Sequence, residues 1–339
     1  GAGAQPARGP QPRGERGGGG PARGAAGAAD GGLSVAGGVL HLYLPSPLRE
    51  DAVAGRVNIV NRIGQAVAPL NWRLVFHPDS EAERAKAPSR DGYALFHMHA
   101  PQGERSLTMR RALFYPFWQI EATNQRWVNS IARAAFDPAS VDAGEARGFA
   151  RRWRDKLFAG RSVTRGGFIY MPLQGRLRDH RSFQAMSPVA MIAATLQARP
   201  GQRIKATLHP REVYEDADLV ALDRISRDHP RFSLVRDSAE DLLAACDHVV
   251  TQNSSVAMLG YFVRKPAVLF AGIDFHHIAG SVPRDGLEAA FAQVQGEAPE
   301  YDAYLTWFLR RNCVNGGAPE AEAQILARFA RFGWPVGGM

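Results

Sequence analysis

Short apolar runs alternate with polar turns and with stretches of helical period along most of the chain. Val39-Leu40-His41-Leu42-Tyr43-Leu44 reads as a buried strand. Over 51–66 the spacing of Val53, Val57, Val60 and Ile63 predicts a helix with one apolar face. Further strands are expected at 72–76 and 93–97, and a basic helix anchored by Phe149, Trp153, Leu157 and Phe158 at 137–159. The apolar, aromatic segment from Arg110 to Trp118 fits neither period.

From Phe168 the alternation becomes regular. Strands are expected at 168–173, 203–208, 232–235, 248–252 and 266–270. Helices are expected at 188–197, 217–228, 239–246 and 254–263, with two more at 299–312 and 319–332. Ser187-Pro188 is an N-cap followed by proline in the first helical position. Repeated βα units predict a parallel sheet covered on both faces. The expected organisation is α/β, with two Rossmann-like domains and a cleft between them. Its parts are a disordered tail at 1–32, an acceptor-side domain at 33–160, a nucleotide-sugar domain at 161–312, and a C-terminal helix and tail at 313–339.

The tail expectation rests on composition, since residues 1–32 are rich in Gly, Ala, Pro and Arg and poor in core-forming side chains. Elsewhere composition mainly excludes. The two cysteines, Cys246 and Cys313, form no CxxC pair, which removes zinc knuckles and disulfide frameworks and fits a reducing cytoplasm. No apolar run is long enough to span a membrane. The net charge of +8 suits anionic ligands or a membrane surface. No zinc-finger or aromatic–basic signature points to nucleic acid.

Candidate chemistry lies where strands hand over to helices. Thr251-Gln252-Asn253-Ser254-Ser255 ends one apolar strand, and the serines stand where the next helix begins, a favourable place for an anion. Leu208-His209-Pro210 ends the strand of an earlier unit. Two such ends suggest one phosphate-binding crevice at the carboxyl edge of the sheet. Each has a plainer reading, a serine N-cap and a strand-end histidine satisfied by backbone. Gln174 and Asp179, after another strand, either reach a sugar or make a polar turn. His276, in the loop after the last clear strand, is a candidate base or sugar contact. Asp216-Ala217-Asp218 reads as an acidic helix start rather than a metal motif. His97 and His99 are a weak metal signal. Asp91 and Glu121 are candidate catalytic carboxylates of the first domain, each also readable as an ordinary charge.

The ordered set from Pro172-Leu173-Gln174 through Ser187-Pro188, Leu208-His209-Pro210, 241–247 and 251–255 to Lys265-Pro266-Ala267-Val268 resembles the bacterial capsule polysaccharide biosynthesis family, which includes the capsule β-Kdo transferases. The likeness covers roughly residues 165–312. It implies a GT-B fold and a metal-independent glycosyltransferase without a cofactor, with the nucleotide in the C-terminal domain. His-Pro and the serine pair are also similar to those of bacterial sialyltransferases. That likeness makes His209, Ser254 and Ser255 the phosphate site of a CMP-sugar, and Pro210, Gln174, Gln252, Asn253 and His276 complete the expected nucleotide-sugar-binding set. The implied acceptor is a glycan or lipid-linked glycan at the inner face of the membrane, with peripheral contact through the helix around Arg151-Arg152-Trp153. Sialyltransferases carry an acidic-acidic-Gly motif, whereas this chain has Arg90-Asp91-Gly92. A UDP-sugar transferase or epimerase, or a non-catalytic polysaccharide-assembly or export component, is the alternative expectation.

Overall fold

A computed structural model of the chain describes residues 38–336. The tail expected at 1–32 lies outside the described residues. The chain opens with β1 (Val39–Leu44), α1 (Ser46–Val53), α2 (Asn58–Val67) and β2 (Arg73–Pro78). The single helix expected over 51–66 is therefore two. Gly55 breaks it at φ +70°, leaving Val53 exposed while Val60 and Ile63 enter the core. Next come α3 (Glu81–Ala85), β3 (Tyr93–His97), β4 (Ser106–Arg111), β5 (Phe117–Glu121), α4 (Ser130–Arg133) and α5 (Ala143–Leu157). Residues 110–118 are thus the end of one strand, a turn, and the start of another.

The second half runs β6 (Phe168–Pro172), α6 (Pro188–Ala198), β7 (Arg203–Thr207), α7 (Asp216–Asp228), β8 (Phe232–Leu234), α8 (Ala239–Ala245), β9 (His248–Thr251), α9 (Val256–Tyr261), β10 (Ala267–Leu269) and β11 (Gly280–Ser281). After α10 (Val282–Asp285) and α11 (Leu287–Gln293), α12 (Tyr301–Thr306) leads into a π-helical turn at Trp307–Arg311, then β12 (Val314–Asn315) and α13 (Ala321–Arg331).

Two sheets result, giving the α/β, GT-B-like arrangement expected. The first has the order β2-β1-β3-β4-β5-β12, parallel from β2 to β4 and antiparallel at β5 and β12. The second, β8-β7-β6-β9-β10-β11, is parallel throughout. In chain order that is 3-2-1-4-5-6, the doubly wound order whose direction reverses between β6 and β9. Every residue of β6, β9 and β10 is buried, as a strand covered on both faces requires. The Ser187 hydroxyl caps α6 by accepting from the Ala190 N–H at 3.2 Å.

The helix expected at 319–332 is α13, and the C-terminal stretch returns to the first half, where β12 pairs with β5 and Ile325 and Phe329 of α13 join the core of α2. The two sheets belong to one compact unit. Asp274, wholly buried, holds them together. It accepts from Arg126 Nε (3.0 Å) and Nη2 (2.6 Å), Gln119 Nε2 (2.9 Å) and Asn129 Nδ2 (3.1 Å).

Gly92 enters β3 at φ +106°, and a Cβ there would stand 2.2 Å from the Val39 carbonyl oxygen. The strand pairing of β1 and β3 cannot give way cheaply. Gly92→Ala is expected to destabilise the protein by about 3 kcal/mol, combining left-handed strain and overpacking. A lowered urea midpoint at unchanged slope checks this.

His248 and His277 are held neutral. Burial, with Arg199 nearby for the first and His276 for the second, pushes each imidazole down to about 4. The unfolded chain then binds these protons first as pH falls. The stability present above pH ~6.5 is expected to be lost progressively towards pH 4, by up to ~1.4 kcal/mol per pH unit for each residue. Urea unfolding at pH 7, 6 and 5 reads the slope.

Candidate active site at the carboxyl edge of the second sheet

The strand order dictates where to look. At the reversal between β6 and β9, the following chains leave on opposite sides and open a crevice. A pocket of about 740 Å³ lies there, lined by Tyr170, Thr207, His209, Ser238, Glu240 and Ser254 among others. That is an ordinary volume for a nucleotide-sized ligand. A second cavity, of about 210 Å³, is lined by Gln174 and Asn253 together with Arg110, Arg126 and Trp127 of the first half. The two cavities meet along the chain, because Leu173 and Ser254 face the larger while Gln174 and Asn253 face the smaller.

His209 follows β7 by two residues. Its Nδ1 accepts from the Arg211 backbone N–H at 3.2 Å, so the neutral ring carries its proton on Nε2. No group among the described residues bonds Nε2. Its backbone N–H donates to the Tyr214 hydroxyl at 2.7 Å, which fixes the turn. Pro210 also lines the pocket. Ser254, 5% exposed, accepts from the Val256 N–H at 3.3 Å and retains its own hydroxyl proton to donate. The Tyr170 hydroxyl pairs with Thr207 Oγ1 at 3.1 Å.

Other expected residues are placed differently. Ser255 stands at the N-cap position of α9 but makes no side-chain cap and does not line the pocket. Gln252 is buried, donating through Nε2 to the Met186 carbonyl at 3.0 Å, and so braces the loop before α6. His276 is occupied at both nitrogens. Its Nε2 donates to the Ala132 carbonyl (3.1 Å) and its Nδ1 accepts from Arg284 (3.1 Å). Asp179 pairs with Arg176 at the surface.

Neither expected carboxylate reaches either cavity. Asp91 sits at the amino end of β3, where its carbonyl accepts from His41 Nε2 at 3.0 Å, beside a cavity of about 280 Å³. Glu121 is buried and accepts from the Ser130 N–H (3.0 Å) and hydroxyl (2.6 Å), bracing α4. Burial raises its carboxyl above the usual range, against those two bonds. The motif Arg90-Asp91-Gly92 therefore serves the entry to β3 rather than the cleft.

Asp218 of the acidic triplet is buried against Arg178 at 3.1 Å in the first turn of α7, the structural role expected of it. The left-handed Met98 (φ +66°) ends β3 at His97, and His99 turns to Asp79 at 3.1 Å. Among the described residues no group of three potential ligands forms a metal site. Trp153 packs on Phe114 and Phe117 (centroids at 4.6 and 5.3 Å), so core packing accounts for it. Among the described residues no helix is long and apolar enough to cross a membrane.

Sequence reasoning missed Ser238, which caps α8 by accepting from the Asp241 N–H at 3.1 Å. The signal was present, since Asp237-Ser238 follows β8 as His209 follows β7. It also missed Arg110 and Arg126, which lie in and beyond the segment that had no clear period.

The fold and crevice define a two-sheet α/β protein with a nucleotide-sized pocket at a topological switch point. No protein-family model matches the chain, and no curated protein matches its sequence. Among solved structures it is similar to the Thermosulfurimonas dismutans KpsC β-Kdo 2,7 transferase, at TM-score 0.45 and 11% identity over 79% of this chain and 88% of that one. It is also similar to the Methanocaldococcus jannaschii UDP-GlcNAc 2-epimerase in complex with UDP-GlcNAc and UDP (TM-score 0.36, 8% identity, 87% and 99% covered). A third likeness is to the wall teichoic acid polymerase TagF in its H548A form (0.30, 11%, 88% and 89%). These likenesses are distant, and the site is read from its own residues.

Proposed function

We propose that the protein is a GT-B-type glycosyltransferase of capsule or other surface-polysaccharide assembly. It takes a sugar, an acidic one such as Kdo, from a CMP-sugar and passes it to a glycan or lipid-linked glycan. The observation that carries this reading is the convergence of His209 Nε2–H and the Ser254 hydroxyl on a pocket at the reversal between β6 and β9. Both are hydrogen-bond donors fixed by neighbouring backbone, which suits a single phosphate.

In transfer, the bond from the anomeric carbon to the phosphate oxygen breaks and a bond from the acceptor oxygen forms. The acceptor hydroxyl loses its proton to solvent water, and CMP leaves with increased negative charge on its phosphate. The His209 Nε2–H and the Ser254 O–H stand ready to stabilise that charge without rearranging. Asp237 and Glu240, at the α8 side of the pocket, are acceptors suited to ribose hydroxyls and to the amino group of cytosine. The O4 carbonyl of uracil offers no such donor, and this supports CMP over UDP. Asp91 and Glu121 have no part in this proposal.

Calorimetric titration with CMP, UDP, GMP and ADP tests the reading. CMP is expected to bind at least about tenfold more tightly than UDP, the worth of one good polar contact. A preference for UDP would move the donor to the UDP-sugar class. Absence of binding by all four would favour a non-catalytic assembly component.

A further inference from the structure

The smaller cavity has unbalanced charge. Arg126 is committed to Asp274 through two hydrogen bonds. Arg110, near the carboxyl end of β4, forms neither an ion pair nor a hydrogen bond through its guanidinium among the described residues, and its Nε is buried without a partner. Burial, aided by Arg126, pulls this guanidinium down to about 10, which leaves it charged at neutral pH. A partly buried guanidinium whose Nε has lost water and gained no acceptor is costly, and its open nitrogens offer a ligand two more donors. Opposite it, Gln174 Oε1 is likewise buried without a donor. Trp127, stacked on Phe183 at 4.6 Å, supplies a flat apolar wall.

These groups define the missing occupant. A guanidinium fork asks for a planar or tetrahedral oxyanion, an unsatisfied amide oxygen asks for a hydroxyl, and an aromatic wall suits the apolar face of a sugar ring. The cavity, of about 210 Å³ and open to solvent, takes the charged end of a sugar but not a nucleotide.

We infer that this cavity is an oxyanion subsite in which Arg110 reads a carboxylate or phosphate carried by the transferred sugar or its acceptor. The inference rests on the proposed donor pocket next to it. Arg110 comes from the first half and Gln174 from the second, so the selecting residue and the proposed nucleotide pocket lie on opposite sides of the cleft. Arg110 is therefore a specificity determinant, selecting charged over neutral sugars.

The test is a thermal-shift titration of the parent, Arg110→Gln and Arg110→Lys. The probes are N-acetylneuraminate, inorganic phosphate, N-acetylglucosamine and CMP. N-acetylneuraminate is expected to stabilise the parent where N-acetylglucosamine does not. Its apparent affinity is expected to fall at least about tenfold in Arg110→Gln and to recover partly in Arg110→Lys, with CMP unchanged. If phosphate rather than the sugar acid shows this dependence, the subsite stands and its occupant is a phosphoryl group. Anion dependence on Arg110 without any CMP binding would uphold the subsite and remove the nucleotide reading. Equal affinities in parent and Arg110→Gln, or no response of the parent to either anion, would overturn it. Arg110→Lys keeps the test open if Arg110→Gln does not fold.

Discussion

Replacing His209 with alanine is expected to slow sugar transfer by about a hundredfold and to weaken CMP binding by about tenfold, while leaving unfolding almost unchanged. The two effects separate because the ring has two unequal jobs. Its structural task is one acceptor bond from the Arg211 N–H, worth about 1 kcal/mol or less. Its proposed chemical task is a fixed Nε2–H facing a phosphate whose charge grows as the sugar departs, and loss of one such donor costs about 10²–10³ in rate. His209→Asn, whose amide can still donate, is expected to regain part of the loss. Turnover of CMP-Kdo with the variants, beside their urea midpoints, separates the two roles. Equal rates in variant and parent would remove His209 from the chemistry.

Asp274→Ala is expected to destabilise the protein strongly, by about 3–5 kcal/mol. The carboxylate is wholly buried and takes four hydrogen bonds from three side chains of the first half. Removing it leaves the Arg126 guanidinium charged, nearly buried and unpaired, which is the costly way to break a buried pair. A double variant, Arg126→Met with Asp274→Leu, removes both charges and is expected to recover much of the loss. Urea unfolding of the parent, Asp274→Leu, Arg126→Met and the double variant closes the cycle and gives the coupling. A single variant as stable as the parent would show that Asp274 does not hold the two sheets together.

The second sheet was legible because its strands are short apolar runs closed by polar residues, most of them followed by a helix, two of which are capped by Ser187 and Ser238. His209, Asn253 and Ser254 inherit their place from that pattern, since strand ends in a parallel sheet share one edge. The first half was less legible. Its β4–β5 pair is buried and aromatic, so no two-residue period survives to mark the strands. Arg110 was hidden inside that run. The β12 strand has only two residues, and its return to the first sheet depends on pairing with β5, far away in sequence. For Gln252 and His276 sequence could not separate two readings, because a polar residue after a strand looks the same whether it faces a ligand or braces a loop. Only the partners, Met186 for one and Ala132 and Arg284 for the other, decide. The glycine after Asp91 has a structural use of its own, since the chain needs it to clear the Val39 carbonyl.

The position of the nucleotide is read by hydrogen exchange with and without saturating CMP. Slowed exchange is expected at 207–211 and 253–257, the chain ends of β7 and β9, with little change around Asp91. Protection around Asp91 and His41 with none at those strand ends would contradict it.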